Sequence, residues 1–264
     1  MWNRRNLLTS LAAIPVFAIA GSQASAGGRS RVDGAALRGS IDAADFNLRP
    51  VAYDDQSRSF EEMLLKSSET NVPVFLPAGT YVVSNLTLPP RARISGVPGA
   101  TRIVYGGEGH LFLSDHAERV ELSGLVIDGA NRWLGDQTQG LVDLRDVPRV
   151  VIDNCDIVGS SKSAIAMERC GGRIERNSIS GAADVGLYAV ESTRLSIASN
   201  AVSDCGNGGI LVHRWQVAED STQVTGNRVE RIAARNGGTG QHGNGINVFR
   251  ANGCLLYTSP SPRD

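Results

Sequence analysis

The segment Ile152-Asp153-Asn154-Cys155-Asp156-Ile157 decides the fold, because the chain repeats its pattern downstream. Residues 174–179, 197–202 and 224–229 have the same apolar ends and the same largely polar interior. The fourth position of the successive copies holds Leu125, Cys155, Asn177, Asn200 and Asn227. These positions lie 30, 22, 23 and 27 residues apart. A period of roughly 20 to 50 residues indicates a solenoid, in which each repeat buries its apolar face against its neighbours.

A second apolar strand recurs in phase with the first and begins with a small residue in each copy. The copies are Gly140–Asp143, Ala164–Met167, Gly186–Ala189, Gly209–Val212 and Gly245–Val248. Two or three short strands per repeat, with no long helical pattern between them, favour a β-solenoid over a leucine-rich repeat. Insertions occupy only residues 130–139 and 232–244, both in the arc that precedes a Gly-started strand.

Three consecutive copies carry asparagine at the fourth position, namely Asn177, Asn200 and Asn227. Parallel strands stack about 4.8 Å apart, so these amides can hydrogen-bond the coils above and below and satisfy polar groups inside the stack. Asparagine also tolerates a left-handed backbone, so we expect it to supply the left-handed residue of the turn. The spacing therefore predicts an asparagine ladder along one edge.

The region before the repeats predicts a cap for the solenoid. Residues Ser59 to Ser68 form an amphipathic helical pattern before a strand at Pro73 to Pro77. Its expected apolar face comprises Phe60, Met63, Leu64 and Leu65. Without such a cap the first coil would expose an unpaired strand edge and an apolar interior.

The N-terminus has the pattern of a targeting segment, with an apolar run at residues 11–20 and small residues at 24–26. The segment Asn3-Arg4-Arg5-Asn6-Leu7-Leu8 resembles the twin-arginine export motif, which carries proteins already folded. We therefore interpret residues 1–26 as a twin-arginine signal peptide and the export machinery as a partner. The apolar run is too short for a permanent membrane span, which predicts a periplasmic or secreted bacterial protein.

Charge and cysteine content exclude other classes of function. The formal net charge of −1 over 264 residues lacks the basic field that nucleic-acid binding requires. The four cysteines show neither C-x-x-C nor zinc-knuckle spacing, so no disulfide is assigned and we interpret them as small buried hydrophobes. They are Cys155, Cys170, Cys205 and Cys254.

The segments Val74–Tyr81, Leu86–Leu88 and Ile94–Gly96 resemble the N-terminal part of the pectate-lyase-like β-helix superfamily. The resemblance covers most of the mature chain and implies an all-β, right-handed parallel β-helix over residues 27–254 with a short N-terminal capping helix. With the arginine pair and the asparagine repeats, the chain resembles a family of twin-arginine-translocated repeat proteins of uncharacterised function. That likeness implies a fold and an export route but no reaction.

The C-terminal residues depart from the repeat pattern, because Tyr257-Thr258-Ser259-Pro260-Ser261-Pro262 breaks it. This stretch resembles translated sequencing-adapter read-through. We therefore interpret residues 255–264 as a non-native tail and expect the natural protein to continue with further coils.

The superfamily resemblance implies carbohydrate binding along the outer face of one parallel sheet, between walls made by inserted loops. Here that is the sheet of Gly-started strands, with Leu141 and its copies inside. Alternation predicts a first outward column of Val142, Ala166, Tyr188, Leu211 and Asn247. The second outward column is Leu144, Glu168, Val190, His213 and Phe249. The position after it holds Arg145, Arg169, Glu191, Arg214 and Arg250.

Arginines in one column suit the carboxylates of a uronate polymer, which they bind through paired hydrogen bonds. The alternative is a solvated ladder in which Glu191 relieves repulsion between its neighbours. His213 beside Glu168 is the candidate catalytic pair, because histidine titrates near neutral pH; the alternative is an inert surface histidine. The candidate substrate-binding residues are Tyr188, Arg214, Asn247 and Arg250.

No metal or cofactor is predicted, since no outward aspartate cluster is available for calcium. Glycosidic hydrolysis needs two carboxylates, and the outward columns provide only Glu168. Asp184 and Asp204, in loops, are the candidates for the second one. Asp143 falls in an inward slot, which indicates a local shift of that coil.

The sequence thus predicts an exported β-helix protein that acts on or binds an anionic polysaccharide. If it is an enzyme, it is a polysaccharide lyase or a glycoside hydrolase. The alternative is a non-catalytic scaffold or glycan-binding protein of the cell envelope.

Overall fold

The computed structural model describes residues 39–51, 53–238, 240 and 242–257. The signal segment at residues 1–26 lies outside the described residues, so its role in export stays a prediction. Most of the tail, residues 258–264, also lies outside them. Within the described ranges, no helix is both long and apolar enough to cross a bilayer.

Three parallel sheets form the body of the protein, and we number their strands in chain order. Sheet 1 contains β1 (Ile41–Asp42), β2 (Val74–Phe75), β5 (Arg91–Ser95), β8 (Arg119–Ser123), β11 (Val150–Asp153), β14 (Gly172–Glu175), β17 (Leu195–Ala198), β20 (Gln223–Thr225) and β23 (Leu255–Tyr257). Sheet 2 contains β3 (Gly79–Val83), β6 (Thr101–Tyr105), β9 (Val126–Asp128), β12 (Asp156–Val158), β15 (Ser178–Ser180), β18 (Ala201–Ser203) and β21 (Arg228–Glu230). Sheet 3 contains β4 (Leu86–Thr87), β7 (Phe112–Asp115), β10 (Gly140–Arg145), β13 (Ser163–Glu168), β16 (Val185–Val190), β19 (Gly208–Glu219) and β22 (Asn244–Asn252).

From β2 to β22 each coil contributes one strand to every sheet, in the order sheet 1, sheet 2, sheet 3, while β1 and β23 are the end strands of sheet 1. The coils stack in register: Ile152, Ile174, Ile197 and Val224 are successive partners in sheet 1, and all four are buried. Inward and outward side chains alternate along a strand, so the buried residues of the stacked coils form one continuous apolar core. The prediction of a right-handed parallel β-helix is confirmed.

The asparagine ladder is confirmed in atomic detail. Asn177 Nδ2 donates to Asn200 Oδ1 at 3.0 Å, and Asn200 Nδ2 donates to Asn227 Oδ1 at 2.9 Å. Each side-chain amide also donates to a main-chain carbonyl of the preceding coil, three residues before the rung of that coil. Asn200, for example, donates to Ile174 O at 2.8 Å. The backbone N–H of Cys155 donates to Asn177 Oδ1 at 2.9 Å, so the ladder ends on a cysteine rung.

The left-handed residue of this turn lies one position before the asparagine, which corrects our expectation. The residues with positive φ, between 52° and 63°, are Gly124, Asn154, Arg176, Ser199 and Gly226. Residues as different as Arg176 and Ser199 adopt this conformation, so the turn reverses the chain whatever the side chain there. Asparagine is therefore selected at the next position for its amide, which must point inward and pair in both directions.

The N-terminal cap is present, with one residue misassigned. Helix α1 (Ser57–Thr70) packs on β2 and β5 and buries Phe60, Met63 and Leu64. Leu65 was expected on the same face, but it is 50% exposed. A helix turns 100° per residue, so three consecutive positions from 63 to 65 exceed the stripe that faces a sheet edge.

The cysteines behave as small hydrophobes. Three of them, Cys155, Cys170 and Cys205, are buried, and all four lack a disulfide partner in the described structure. Burial raises the pKa of the Cys155 and Cys170 thiols to about 12 and that of Cys205 to about 11. Thiols with such pKa values hold almost no nucleophilic thiolate at neutral pH.

The first residues of the predicted tail continue sheet 1. Leu255, Leu256 and Tyr257 pair in register with Gln223, Val224 and Thr225. The interpretation of residues 255–264 as non-native stays a prediction.

The ladder predicts unequal costs for two substitutions. Asn200 is 2% exposed and its amide pairs with rungs on both sides, whereas Asn227 is half-buried and pairs with a rung on one side only. We expect Asn200→Ala to lower the free energy of unfolding by about 1–3 kcal/mol, because it orphans buried backbone groups, and Asn227→Ala to lower it less. Equal or reversed losses, measured by urea denaturation of the two variants, would contradict the ladder's role.

Candidate functional site

The pairing in sheet 3 changes the columns expected from the sequence. Val142, rather than Leu141, is the partner of Ile165, and Arg145 is the partner of Glu168. The coil that contains β10 is thus shifted by one residue, as the position of Asp143 had indicated. The shift places Asp143 beside the insertion, where its carboxylate accepts from the Gln139 N–H at 2.9 Å.

The column of four arginines is therefore wrong. Asp146, not Arg145, precedes Arg169 in the stack, and the two side chains form a salt bridge of 2.7 Å. Glu191 and Arg214 form the next pair at 3.1 Å. The hydrogen bond from Arg169 lowers the pKa of Asp146, as expected for a carboxylate held ionised by its partner. Signs alternate along most of this column, so most of its charge is compensated within the protein.

A cavity of about 570 Å³ opens on the outer face of the last coils of sheet 3. It is lined by side chains of β16, β19 and β22 together with Gly240 of the second insertion. The lining residues are Tyr188, Val190, His213, Arg214, Trp215, Gly240, Asn247, Phe249 and Arg250. Five of the six predicted site residues meet here, and the exception is Glu168.

Glu168 does not line this cavity. It is the partner of Val190, which in turn is the partner of His213, so two strand spacings of about 4.8 Å separate the two predicted catalytic residues. Its carboxylate is also paired with the neighbouring Arg169. The structure does not bring Glu168 and His213 together.

His213 is held between two aromatic rings. Its ring centroid lies 5.5 Å from that of Tyr188 and 5.8 Å from that of Phe249, both in edge-on geometry. The residue is only 6% exposed, and Nε2 has no hydrogen-bond partner among the described residues. Burial lowers the pKa of His213, so the imidazole is neutral at neutral pH and able to accept a proton.

Tyr188 has the opposite tendency. Burial, with the nearby carboxylates of Asp184 and Glu168, raises the pKa of its hydroxyl. The phenol therefore stays protonated at neutral pH and remains a proton donor. The cavity thus holds a neutral base and a neutral acid in adjacent coils.

The two arginines of the cavity differ in their surroundings. Arg214 is largely buried, donates to Glu219 O at 2.9 Å, and lies 3.8 Å from the buried carboxylate of Asp220 in addition to its pair with Glu191. Arg250 is exposed and stacks on Phe249 with its guanidinium carbon 4.8 Å from the ring centroid. In the described part of the chain no carboxylate pairs with Arg250, so its charge is available to a ligand.

Asn247 fastens the second insertion to the cavity. Its side-chain amide donates to the carbonyl of Gly240 at 3.2 Å, and Asn244 donates to the same oxygen at 2.8 Å. The Gly-rich insertion is thereby held at the rim. The direct substrate contact expected for Asn247 stays a prediction.

Trp215 also lines the cavity, and the sequence pattern did not predict it. Phe249, another lining residue, was expected on the second outward column. Trp215 belongs to an irregular stretch of β19, where the register shifts between His213 and Ala218. The signal available was the spacing of 27 residues between Asn200 and Asn227, longer than the preceding spacings of 22 and 23. Some of that extra length forms the irregular stretch.

One group of side chains has metal-ligand types. Asp115, His116 and Asp146 have ligand atoms within 4.8 Å of one another. Arg169 donates twice to Asp146, at 2.7 Å each, so a cation there would meet an arginine already in place. Asp115 is in the same column as Glu168, His116 and Asp146 are one position further along the chain, and none of the three lines the cavity.

A family model described as "Right handed beta helix region" matches residues 111–259. No curated protein sequence matches the chain. Several solved structures share its fold. ORF18 of Geobacillus virus E2 has a TM-score of 0.61 and 13% identity, and the match covers 82% of this chain and 48% of that one.

Pre-mature gene product 12 of bacteriophage phi29 has a TM-score of 0.53 and 16% identity, with 82% of this chain and 32% of that one covered. The A-module of the mannuronan C-5 epimerase AlgE4 of Azotobacter vinelandii has a TM-score of 0.53 and 15% identity, with 82% and 74% covered. The chain spans about half the length of the first of these structures and a third of the second. At such identities the likeness shows the fold alone.

The burial of His213 predicts a stability that depends on pH. Because its pKa in the folded protein lies below the ordinary value of about 6.5, the unfolded chain takes up a proton first as the pH falls. The contribution of neutral His213 is fully present above that value and is lost below it. Replacing it by Phe, which suits a slot between two rings, removes this loss.

We therefore expect the melting temperature of the wild type to fall further than that of His213→Phe between about pH 7.5 and about pH 5. Differential scanning calorimetry of both proteins measures this directly. His116→Phe, at an exposed side chain directly after β7, is the matched control. Parallel pH profiles for wild type and His213→Phe would show that His213 is not held neutral.

Proposed function

This chain belongs to the right-handed beta helix family, and from that premise we propose that it binds an anionic polysaccharide on the outer face of sheet 3 and cleaves it by elimination. The observation that carries the proposal is the cavity itself. It combines His213, whose buried Nε2 has no hydrogen-bond partner among the described residues, with a protonated Tyr188. It also contains Arg250, which donates to the carbonyl of Trp215 but pairs with no carboxylate of the described residues. We also infer, from Arg4 and Arg5, that residues 1–26 direct export through the twin-arginine machinery.

Binding of an acidic sugar is supported by Arg250. A guanidinium binds a carboxylate through two parallel hydrogen bonds, and the exposed Arg250 has no carboxylate partner among the described residues. The open face between β16 and β22 suits a chain better than a compact molecule, because adjacent coils offer side chains at about 4.8 Å intervals. One structural neighbour is by name an epimerase of mannuronan, a polysaccharide.

The reaction class follows from the titratable groups. Hydrolysis by paired carboxylates needs two of them about 5 to 10 Å apart, and no carboxylate is among the described residues that line the cavity. Glu191, in the same coil as Tyr188, is held by Arg214. A neutral imidazole beside a phenol suits instead the removal of a proton from carbon.

In such an elimination His213 takes the proton from C5 of a uronate residue. The electron pair of that C–H bond forms the C4–C5 double bond, and the glycosidic oxygen leaves C4 with a proton donated by Tyr188. Arg250 stabilises the negative charge that develops on the carboxylate as the proton departs. Each group contributes the charge state that its surroundings give it at neutral pH.

A non-catalytic glycan-binding protein is the second candidate. It is favoured by one observation: Nε2 of His213 is buried under the rings of Tyr188 and Phe249. A base so covered reaches a substrate only if a ring moves aside. Phe249, 49% exposed, is the ring with room to do so.

Two substitutions separate these functions. With polymannuronate and polygalacturonate as probes, we expect Arg250→Ala to raise Kd about tenfold, the loss of one charged hydrogen-bonded contact. Arg228→Ala, on sheet 2 and paired with Glu230, is the matched control. We expect His213→Gln to keep Kd within about threefold while abolishing the ultraviolet absorbance of the unsaturated product.

Binding by the wild type without any product would favour the scaffold function. Equal binding by wild type and Arg250→Ala, or no binding of either acidic polymer by the wild type, would contradict an anionic ligand on this face.

A further inference from the structure

Four residues of β19 leave the sheet just where the cavity opens. In the pairing with β22, His213 faces Phe249 and Ala218 faces Ala251, so the four residues Arg214–Val217 stand opposite Arg250 alone. We call this stretch the excursion. An extra stretch of this kind bends a strand outward and re-aims its side chains.

The excursion is fastened by groups on both sides. The backbone N–H of Trp215 donates to Glu191 Oε1 at 2.5 Å, and Arg250 Nη1 donates to the carbonyl of Trp215. The guanidinium of Arg214 donates to the other oxygen of Glu191 at 3.1 Å and to the carbonyl of Glu219 at 2.9 Å. Both polar groups of the Trp215 main chain are thus paired, and the loop is held rather than free.

Glu191 is the centre of this arrangement. It lies in the coil before the excursion, directly after β16, and one carboxylate oxygen serves the Trp215 backbone while the other serves Arg214. Side-chain exposures of 16% for Glu191 and 13% for Arg214 show that the pair is largely shielded from water. Charged hydrogen bonds in such surroundings are stronger than at an open surface.

The side chain that this fastening presents is an indole. Trp215 is 57% exposed although its main chain is fixed, and it forms part of the cavity wall beside His213, Phe249 and Arg250. An exposed Trp leaves a large apolar area in water, which a bound partner would remove. The faces of a pyranose ring carry C–H groups and match such a surface, while the hydroxyls at the ring edge stay in reach of polar neighbours.

We propose that Trp215 is the sugar-stacking platform of this site and that Glu191 is the residue that positions it. The ligand is a pyranose residue of an acidic glycan, with its C–H face on the indole and its carboxylate at Arg250. This inference rests on the proposed function and adds to it a binding residue and its support. Rigid placement of the platform before binding lowers the cost of ordering it on association.

The fluorescence of Trp215 can report directly on binding at this position. The sequence contains three tryptophans, Trp2, Trp133 and Trp215, so a Trp2→Phe/Trp133→Phe variant leaves Trp215 as the only one. Titrating that variant with oligomers of mannuronate should change its emission, whereas neutral oligomers of mannose should not. In the same assay Trp215→Ala should raise Kd at least about tenfold and Trp215→Phe less than about threefold, since Phe keeps an aromatic face. Kd for these two variants is measured by calorimetry.

Val217→Ala is the matched control, because Val217 is 67% exposed in the same excursion but does not line the cavity; it should bind as the wild type does. Glu191→Ala should weaken binding as much as Trp215→Ala and shift the emission of Trp215 without ligand. Glu191→Gln, which keeps an acceptor for the Trp215 N–H, should restore part of the affinity. Far-ultraviolet circular dichroism confirms that each variant is folded.

Unchanged affinity in Trp215→Ala with lost affinity in Arg250→Ala would overturn this inference and leave the proposed function standing. An unchanged emission of the single-Trp variant on saturation with ligand would overturn the stacking role in the same way. No binding of mannuronate or galacturonate oligomers by the wild type would overturn both. Glu191→Ala could also lose affinity without any change in the emission of Trp215, and Glu191→Gln could fail to restore it. That result would show that Glu191 does not position Trp215.

Discussion

The amide ladder of Asn177, Asn200 and Asn227 is the interaction on which the rest of the structure depends. Asn177 and Asn200 each donate to the next rung and to a carbonyl of the preceding coil, and Asn200 and Asn227 each accept from the rung before. The turn between sheets 1 and 2 is therefore satisfied inside the stack. A slip of one residue would turn every outward side chain inward. By holding three coils in register at this edge, the ladder keeps the cavity residues Tyr188, His213 and Asn247 together on adjacent strands of sheet 3.

Much of the fold could be predicted from spacing alone, because a solenoid repeats the same contact at each coil. The errors arose where a coil departs from the average. Asp143 indicated the shift of β10, but only the structure shows which residues pair in the new register, such as Arg145 with Glu168. The left-handed residue before each asparagine carries no shared side-chain type, since Arg176 and Ser199 both adopt it. A sequence pattern therefore had nothing to mark it.

The candidate site was predicted in part for the same reason. Alternation placed Tyr188, His213 and Asn247 on one face, and their coils do meet at one cavity. Glu168 was grouped with them because it shares a column with His213. Two strand spacings separate the two residues along the stack, and the alternation pattern does not show that distance. The wall formed by Trp215 lies in an irregular stretch that has no counterpart in the other coils that the structure describes. The way in which Glu191 fastens it depends on contacts that no repeat alignment contains.

The proposed ligand site lies where two irregular segments, the excursion and the Gly-rich insertion, flank the last strands of sheet 3. Hydrogen exchange followed by mass spectrometry, with and without polymannuronate oligomers, tests that placement most directly. We predict slower exchange in peptides that cover residues 214–217 and 232–250, with no added protection in β14, β15, β17 and β18. Protection confined to sheets 1 and 2, or no protection at a saturating concentration of ligand, would contradict the account.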